Sequence, residues 1–328
     1  MHGTTQTEGE PNAFSAYTPR SPLLNADDLE LFHHYLRKTS STVGGSVMWQ
    51  DKVPTLAFEH YCVLHLLLAC AAFHIVRLRS SASDRYLQLA DSHLTAGIRQ
   101  VTTLLNHLDK DNCSALYVAT CFIFTCSFAK MPSPGHLMLV SADEQAPWYT
   151  LIRGVQYVIE TMGFEAIFSG ILGPFPPADE KESLQDGKEL DMILWEEPLT
   201  KLSQLVSIST GQKKKVYESV LEVLKYCFHE TYGSAAEPKD HPTGKFHIIM
   251  AWSYRLEDDY VVYLKHGEPI ALLLLAYFAV LLHTLDHVWF IEGWAAHILK
   301  STRAALGPEL RKWLIWPTEQ LSRAANKD

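Results

Sequence analysis

The run LHLLLACAAFHI carries two imidazoles, His65 and His74, and no other strongly polar side chain. In a cavity, an imidazole can donate a hydrogen bond to a carbonyl and polarise it; in a core it needs only a backbone or water partner. Nine residues at about 3.6 per turn make roughly two and a half turns, so the two rings point to opposite faces and only one meets a given cavity. Arg153 and Tyr157, four apart, share a helix face and could anchor a carboxylate or hydroxyl. The structural use of Arg153 is an ion pair. His283 and His287, with Asp286 between and Glu292 beyond, are spaced to bring two imidazoles to one metal. Helix-end histidines flanking Leu285 and Trp289 more commonly cap and pack, and we assign no metal.

Other chemistry is excluded by what the chain does not contain. No glycine-rich phosphate loop follows a strand, and neither G-x-S-x-G nor H-E-x-x-H occurs, so no cofactor is implied. The net charge of -9 argues against a nucleic-acid surface, because the only basic run, Lys213 to Lys215, reads as a solvated helix start. Six cysteines (62, 70, 113, 121, 126 and 227) sit in or beside apolar segments without CxxC spacing and read as reduced core residues. Met1 to Pro22 is polar and proline-bearing, with neither a signal peptide nor a membrane anchor, which points to an intracellular protein.

The elements that must position these groups are helices. Ile270 to Leu282 has no charged side chain, so every face is apolar and must be enclosed. Its thirteen residues span roughly 20 Å, short of a bilayer core of about 30 Å. A second all-apolar helix opens at Pro54 and runs to about Ser80. Further helices are predicted from the Asn25 cap to about Arg37, over 83–107, 114–129, 148–162, 190–207, 213–232 and 246–252, and from near Glu257, with two more closing the chain. Proline- and glycine-bearing loops are expected over 131–147, 170–187 and 233–244. The expectation is an all-α protein of about eleven or twelve helices. A disordered tail over 1–24 precedes one compact domain over 25–328, with its two apolar helices packed on each other.

Trp49, Pro54, Ala57 and His60, then Leu67, Ala69, Ala72 and His74, open a pattern that continues at Trp148, Leu151, Arg153 and Gly154. It resumes at Pro269, Ala271, Ala276 and Tyr277, at Trp289, Gly293 and Trp294, and at Trp316 and Pro317. In order and spacing these resemble the C-terminal regulatory domain of fungal zinc-cluster transcription factors of the sterol-uptake-control type, over roughly 29–317. The resemblance implies an all-helical fold enclosing an apolar pocket, which in sterol-sensing members takes a sterol. Such factors carry six closely spaced cysteines holding two zinc ions. No such cluster occurs in this sequence, which starts at its own methionine, so the expectation is a pocket without the DNA reader.

Asp27, Asp28 and Glu30 weakly resemble the aspartate-rich metal motif of terpene synthases, but the second motif is missing and an acidic helix start accounts for them. A shaped apolar cavity with a few donors can still fold a flexible polyene into a reactive geometry. The first expectation is therefore a cofactor-free cyclase or isomerase of natural-product biosynthesis, for instance of the [4+2] type. His65, His74, Arg153 and Tyr157 are its candidate catalytic residues. Phe73, Phe122, Phe128, Trp148, Trp252, Tyr277 and Trp289 are its candidate lining, although core packing is the commoner use of each. The other expectation is a regulator that senses an apolar metabolite and acts through protein partners. A cytoplasmic location goes with the first and a nuclear one with the second. Neither expects a membrane span or direct nucleic-acid contact, and oligomeric state is left open.

Overall fold

The computed structural model describes residues 25–44, 47–79, 83–130, 132, 136–138, 140–141, 148–173 and 190–325. The tail expected over 1–24 lies outside them, as do most of the first two expected loops and the side chains of 148–153. The fold is all-α. A two-residue antiparallel hairpin, β1 (His136–Leu137) with β2 (Val140–Ser141), supplies the only strands among the described residues.

Asn25 starts the first half. Its side chain accepts from the Asp28 N–H at 3.0 Å while the Asp28 carboxylate accepts from the Asn25 N–H at 3.4 Å, a reciprocal cap. Helix α1 (Ala26–His34) continues through a π-helical turn, Tyr35–Thr39, into α2 (Ser40–Val43). A second π-helical turn, Met48–Lys52, leads into α3 (Val53–Glu59). The single helix expected from Pro54 is interrupted: His60 is extended (φ -126, ψ 97) before α4 (Tyr61–Leu78) begins. No glycine or proline marks that break, and it adds to the expected helix count. α5 (Ser83–Leu105) lies close along α4 because Gly97 has no side chain; a Cβ there would meet Leu66 Cγ at 2.6 Å. α6 (Cys113–Ala129) covers α4 from another side, and α7 (Trp148–Ile167) packs on α6. Gly163, at φ 74, interrupts α7 directly after Met162, where the sequence places the helix end.

The second half comprises α8 (Glu196–Ser207), α9 (Gly211–Tyr232), α10 (Phe246–Tyr254), α11 (Asp258–Lys265) and α12 (Pro269–His283). It closes with α13 (Trp294–Ala305), a 3-10 turn over Arg311–Leu314, and α14 (Ile315–Ala325). Every residue of α12 from Ala271 to Leu282 is buried, enclosed by α9, α11, α13 and α14. Each enclosed leucine or phenylalanine contributes about 1.5–3 kcal/mol relative to exposure. Trp252 stacks on Phe278 with ring centroids 4.2 Å apart, and the Tyr260 hydroxyl donates to the Ala271 carbonyl at 3.0 Å.

The expected packing of the two apolar helices on each other is corrected. α4 is enclosed by α1, α3, α5 and α6, and α12 by helices of the second half; the two do not pack along one another. Sequence shows that a helix must be covered but not by what, and each half supplies its own cover. α4 alone among the described helices has the length and apolarity of a membrane span, and 78% of it is buried inside the fold.

Specific polar contacts join the halves. Arg77 at the end of α4 donates from Nε to the Trp289 carbonyl at 2.8 Å and from Nη2 to the Glu292 carbonyl at 2.7 Å. Trp289 Nε1 donates back to Thr42 Oγ1 at 3.0 Å, and Trp294 Nε1 to the Phe128 carbonyl at 2.8 Å.

Candidate functional site

Beside this junction lies a cleft of about 570 Å³, within the range of small-molecule sites. α6 contributes Tyr117, Cys121, Phe124 and Thr125, one helical face whose first two members are only half-buried. From α7 come Val155 and Ile159, flanked by Gln156 and Glu160. The two ends of α10 supply Phe246 with His247 and Tyr254 with the adjoining Arg255. Val43 and Trp49 from the first half and Phe290 from the second complete the wall.

The interior polar groups are neutral donors. The Tyr117 hydroxyl lies beside the Cys121 thiol, whose influence together with burial raises its pKa well above the usual phenol value. Burial pushes the Cys121 thiol up to about 12, and raises Tyr254 as well. A thiol so protonated is a poor nucleophile. Charge is confined to the rim, where Gln156 Nε2 donates to Glu160 Oε1 at 2.6 Å and the Arg255 guanidinium lies 5.3 Å from the Tyr226 ring centroid. Apolar walls, neutral donors and a charged rim suit the binding of an amphipathic small molecule.

The residues proposed from sequence whose side chains are described lie elsewhere. His65 is buried with its Nδ1 3.0 Å from Nδ1 of His93, whose Nε2 is 3.1 Å from Asp28 Oδ1. A carboxylate accepting at His93 Nε2 leaves His93 Nδ1 as acceptor, so the neutral chain reads His65 N–H to His93 N–H to Asp28. Burial lowers the pKa of both imidazoles, with Asp28 opposing the shift at each. His74 Nδ1 is 2.9 Å from Thr39 Oγ1, and its ring stacks on Trp289 at 4.7 Å. Burial, reinforced by His34 and Lys38, takes its pKa down to about 4. Neither histidine lines this cleft. Tyr157 is half exposed on α7 and does not line it either; the side chains of Arg153 and Trp148 lie outside the described residues.

The aromatic set divides in the same way. Phe122 stands behind the wall against Trp49 at 5.4 Å, Phe128 against Phe124 at 4.8 Å, and Trp289 against Phe290 at 5.4 Å. Phe73 is buried with α4, Trp252 belongs to the core around α12, and Tyr277 packs on Trp316 at 5.3 Å. Sequence reasoning selected the second layer and missed Trp49, Phe124, Phe246 and Phe290, which form the surface. The uncharged α6 was the available signal, since a helix without charge must face apolar surroundings on every side, and the structure leaves Tyr117 and Cys121 half-buried on the side that meets the cleft. Asp28 was read as an acidic helix start, and nothing local in the sequence points it at His93. Asp27 and Glu30 do face outward, pairing with Arg85. His283 pairs with Asp286, and among the described residues no group of three or more His, Cys, Asp or Glu is placed to hold a metal.

Residues 30–193 match the family model described as the fungal specific transcription factor domain. Sterol uptake control protein 2 of Saccharomyces cerevisiae is 27% identical over 143 residues, 42% of this chain and 15% of that protein. Its namesake in Candida albicans is 26% identical over 141 residues, 42% of this chain and 19% of that protein. A Zn(2)-C6 fungal-type transcription factor of Gibberella zeae is 24% identical over 322 residues, 88% of this chain and 61% of that protein. The chain thus spans between about a seventh and three fifths of the length of these relatives. They are regulators by name, and on that ground the cofactor-free cyclase expected from the sequence is corrected in favour of the regulator.

Proposed function

The chain belongs to the family of the fungal specific transcription factor domain, and from that premise we propose that it is a regulator that binds an apolar, sterol-like small molecule in the cleft and acts on transcription in the nucleus through protein partners. One observation carries the ligand part of this reading. The cleft takes its walls from both halves, with α6 and α7 on one side and α10 and Phe290 on the other. An occupant therefore contacts both at once and favours whichever relative placement of the halves fits it best. Phe290 faces the cleft, while its neighbour Trp289 is held by Thr42, Arg77 and His74. That adjacency gives occupancy a direct mechanical route to the first half. Two of the relatives are named for control of sterol uptake, which supports a lipid-like effector.

The test is cellular. A tagged chain enters the nucleus and co-purifies with a DNA-binding protein, and its deletion changes the transcripts of a defined gene set. A chain that stays in the cytosol, and whose loss leaves transcripts unchanged, contradicts the proposal.

A further inference from the structure

The interior and the mouth of the cleft make different demands on a ligand. Inside, Tyr117, Tyr254 and the protonated Cys121 can hydrogen-bond to a neutral group but cannot balance a full charge. At the mouth, two exposed carriers of charge line the cleft, Glu160 on α7 and Arg255 directly after α10. Glu160 is engaged by the Gln156 amide at 2.6 Å. Arg255 makes no ion pair among the described residues, and the Tyr226 ring braces its guanidinium at 5.3 Å. Its backbone is fixed as well, because its N–H caps α10 on the Ala251 and Trp252 carbonyls. The result is a positioned cation beside an apolar wall, with its fork of N–H donors lacking a carboxylate partner among the described residues. In a chain of net charge -9, such a cation offsets the mean field that would otherwise repel an anion from the mouth.

We propose that the cleft selects an amphipathic acid. Its apolar body lies against Phe124, Phe246 and Phe290, and its single carboxylate meets Arg255 at the mouth. A carboxylate matches the guanidinium fork with two parallel hydrogen bonds. A neutral ligand of the same body gains only the apolar burial. The pair sits at the edge of the site, so the discrimination is modest, about tenfold rather than a thousandfold. The proposal rests on the cleft being a ligand site, as proposed above.

The test uses the full chain and displacement of the neutral fluorophore N-phenyl-1-naphthylamine at pH 7.5. Hexadecanoic acid is compared with its methyl ester, and lithocholic acid with its methyl ester, so that chain-like and polycyclic bodies are both represented. The expected result is an acid preference of about tenfold in at least one pair. Arg255→Gln weakens the acid about tenfold more than the ester and so removes that preference, Glu160→Gln increases it, and Ile159→Trp removes binding of both members. Equal binding of acid and ester, or a preference that survives Arg255→Gln, overturns the head-group assignment and leaves the cleft as an apolar site. Failure of the fluorophore and all four compounds to bind in a way that Ile159→Trp abolishes overturns the ligand site itself.

Discussion

Between its first and last turns α4 carries two imidazoles, whereas α12 carries none between Ala271 and Leu282, although both helices are enclosed on every side. α12 is held almost wholly by shape and volume; the directional contact described for it, from the Tyr260 hydroxyl, reaches a backbone carbonyl in its first turn rather than a side chain. α4 adds directional links. His65 ties it through His93 to the capped start of α1, and His74 ties it to Thr39 and to Trp289 of the second half. The difference separates two kinds of interior. A core of volume specifies that its half is compact, whereas a core with polar links also fixes where neighbouring elements sit, because each link fails at the wrong distance. The polar core is the one that holds the junction beside the cleft.

The sharpest test of the contrast is overpacking. Ala276 is fully buried on α12, and Ala276→Trp adds an indole where no face is open. A loss of more than about 3 kcal/mol in urea unfolding is expected. An unchanged midpoint would show that the second half has slack and break the distinction at its root. Next in size is His93→Leu, which leaves the Asp28 carboxylate without its imidazole and His65 Nδ1 without an acceptor. The expected cost is about 2–3 kcal/mol, the price of orphaned buried polar groups. A neutral outcome would make the relay ornamental.

The two helices also predict opposite pH limits. The His74 pKa falls from an ordinary 6.5 to about 4 in the fold, so between those values the unfolded chain binds a proton that the folded chain does not. Stability is therefore complete above about 6.5, declines as the pH drops through that window and levels off below about 4, a loss of up to about 3 kcal/mol from this group. The groups around it, His34 and Lys38, add positive charge and act in the same direction. On α12 the Tyr277 phenol is raised by burial from 10 to about 12, so its contribution is present below 10 and is lost as the pH climbs toward 12. Melting temperatures across pH 4–11 read both limbs, and His74→Phe should make the acid limb shallower without moving the alkaline one, the remaining acid slope coming from His34, His65 and His93, which burial also lowers. The smallest effect is expected from Trp289→Phe, which keeps a ring over His74 but loses the hydrogen bond to Thr42. About 1 kcal/mol is expected, with the amide-exchange loss concentrated at the junction.

Enclosure was legible in the sequence because it depends on the residues of one helix. Ile270 to Leu282 and the run around His65 have no side suited to water, and Ala271 to Leu282 and Cys62 to Ile75 are buried throughout. The all-α class follows from the same periodicity. Partnership was not legible, because which helix covers which depends on chain path. The supposed contact between the two apolar helices failed for that reason. The break at His60 had no local signal, and the partners of His65 and His74 lie 28 and 35 residues away. The cleft was missed on similar grounds: its walls include Trp49, Phe124, Phe246 and Phe290, from four segments far apart in sequence, and nothing within one run tells the aromatic that faces a cleft, Phe124, from those behind it, Phe122 and Phe128.

The central claim is that the cleft between the halves holds an apolar molecule without transforming it. The direct measurement is mass spectrometry of small molecules retained by the purified full chain after incubation with an apolar fungal extract, alongside Ile159→Trp. The account predicts a compound bound near one equivalent, released unchanged in mass and retention time, and absent from the variant. A compound held equally by both proteins, or converted to a product at substoichiometric protein, would contradict it.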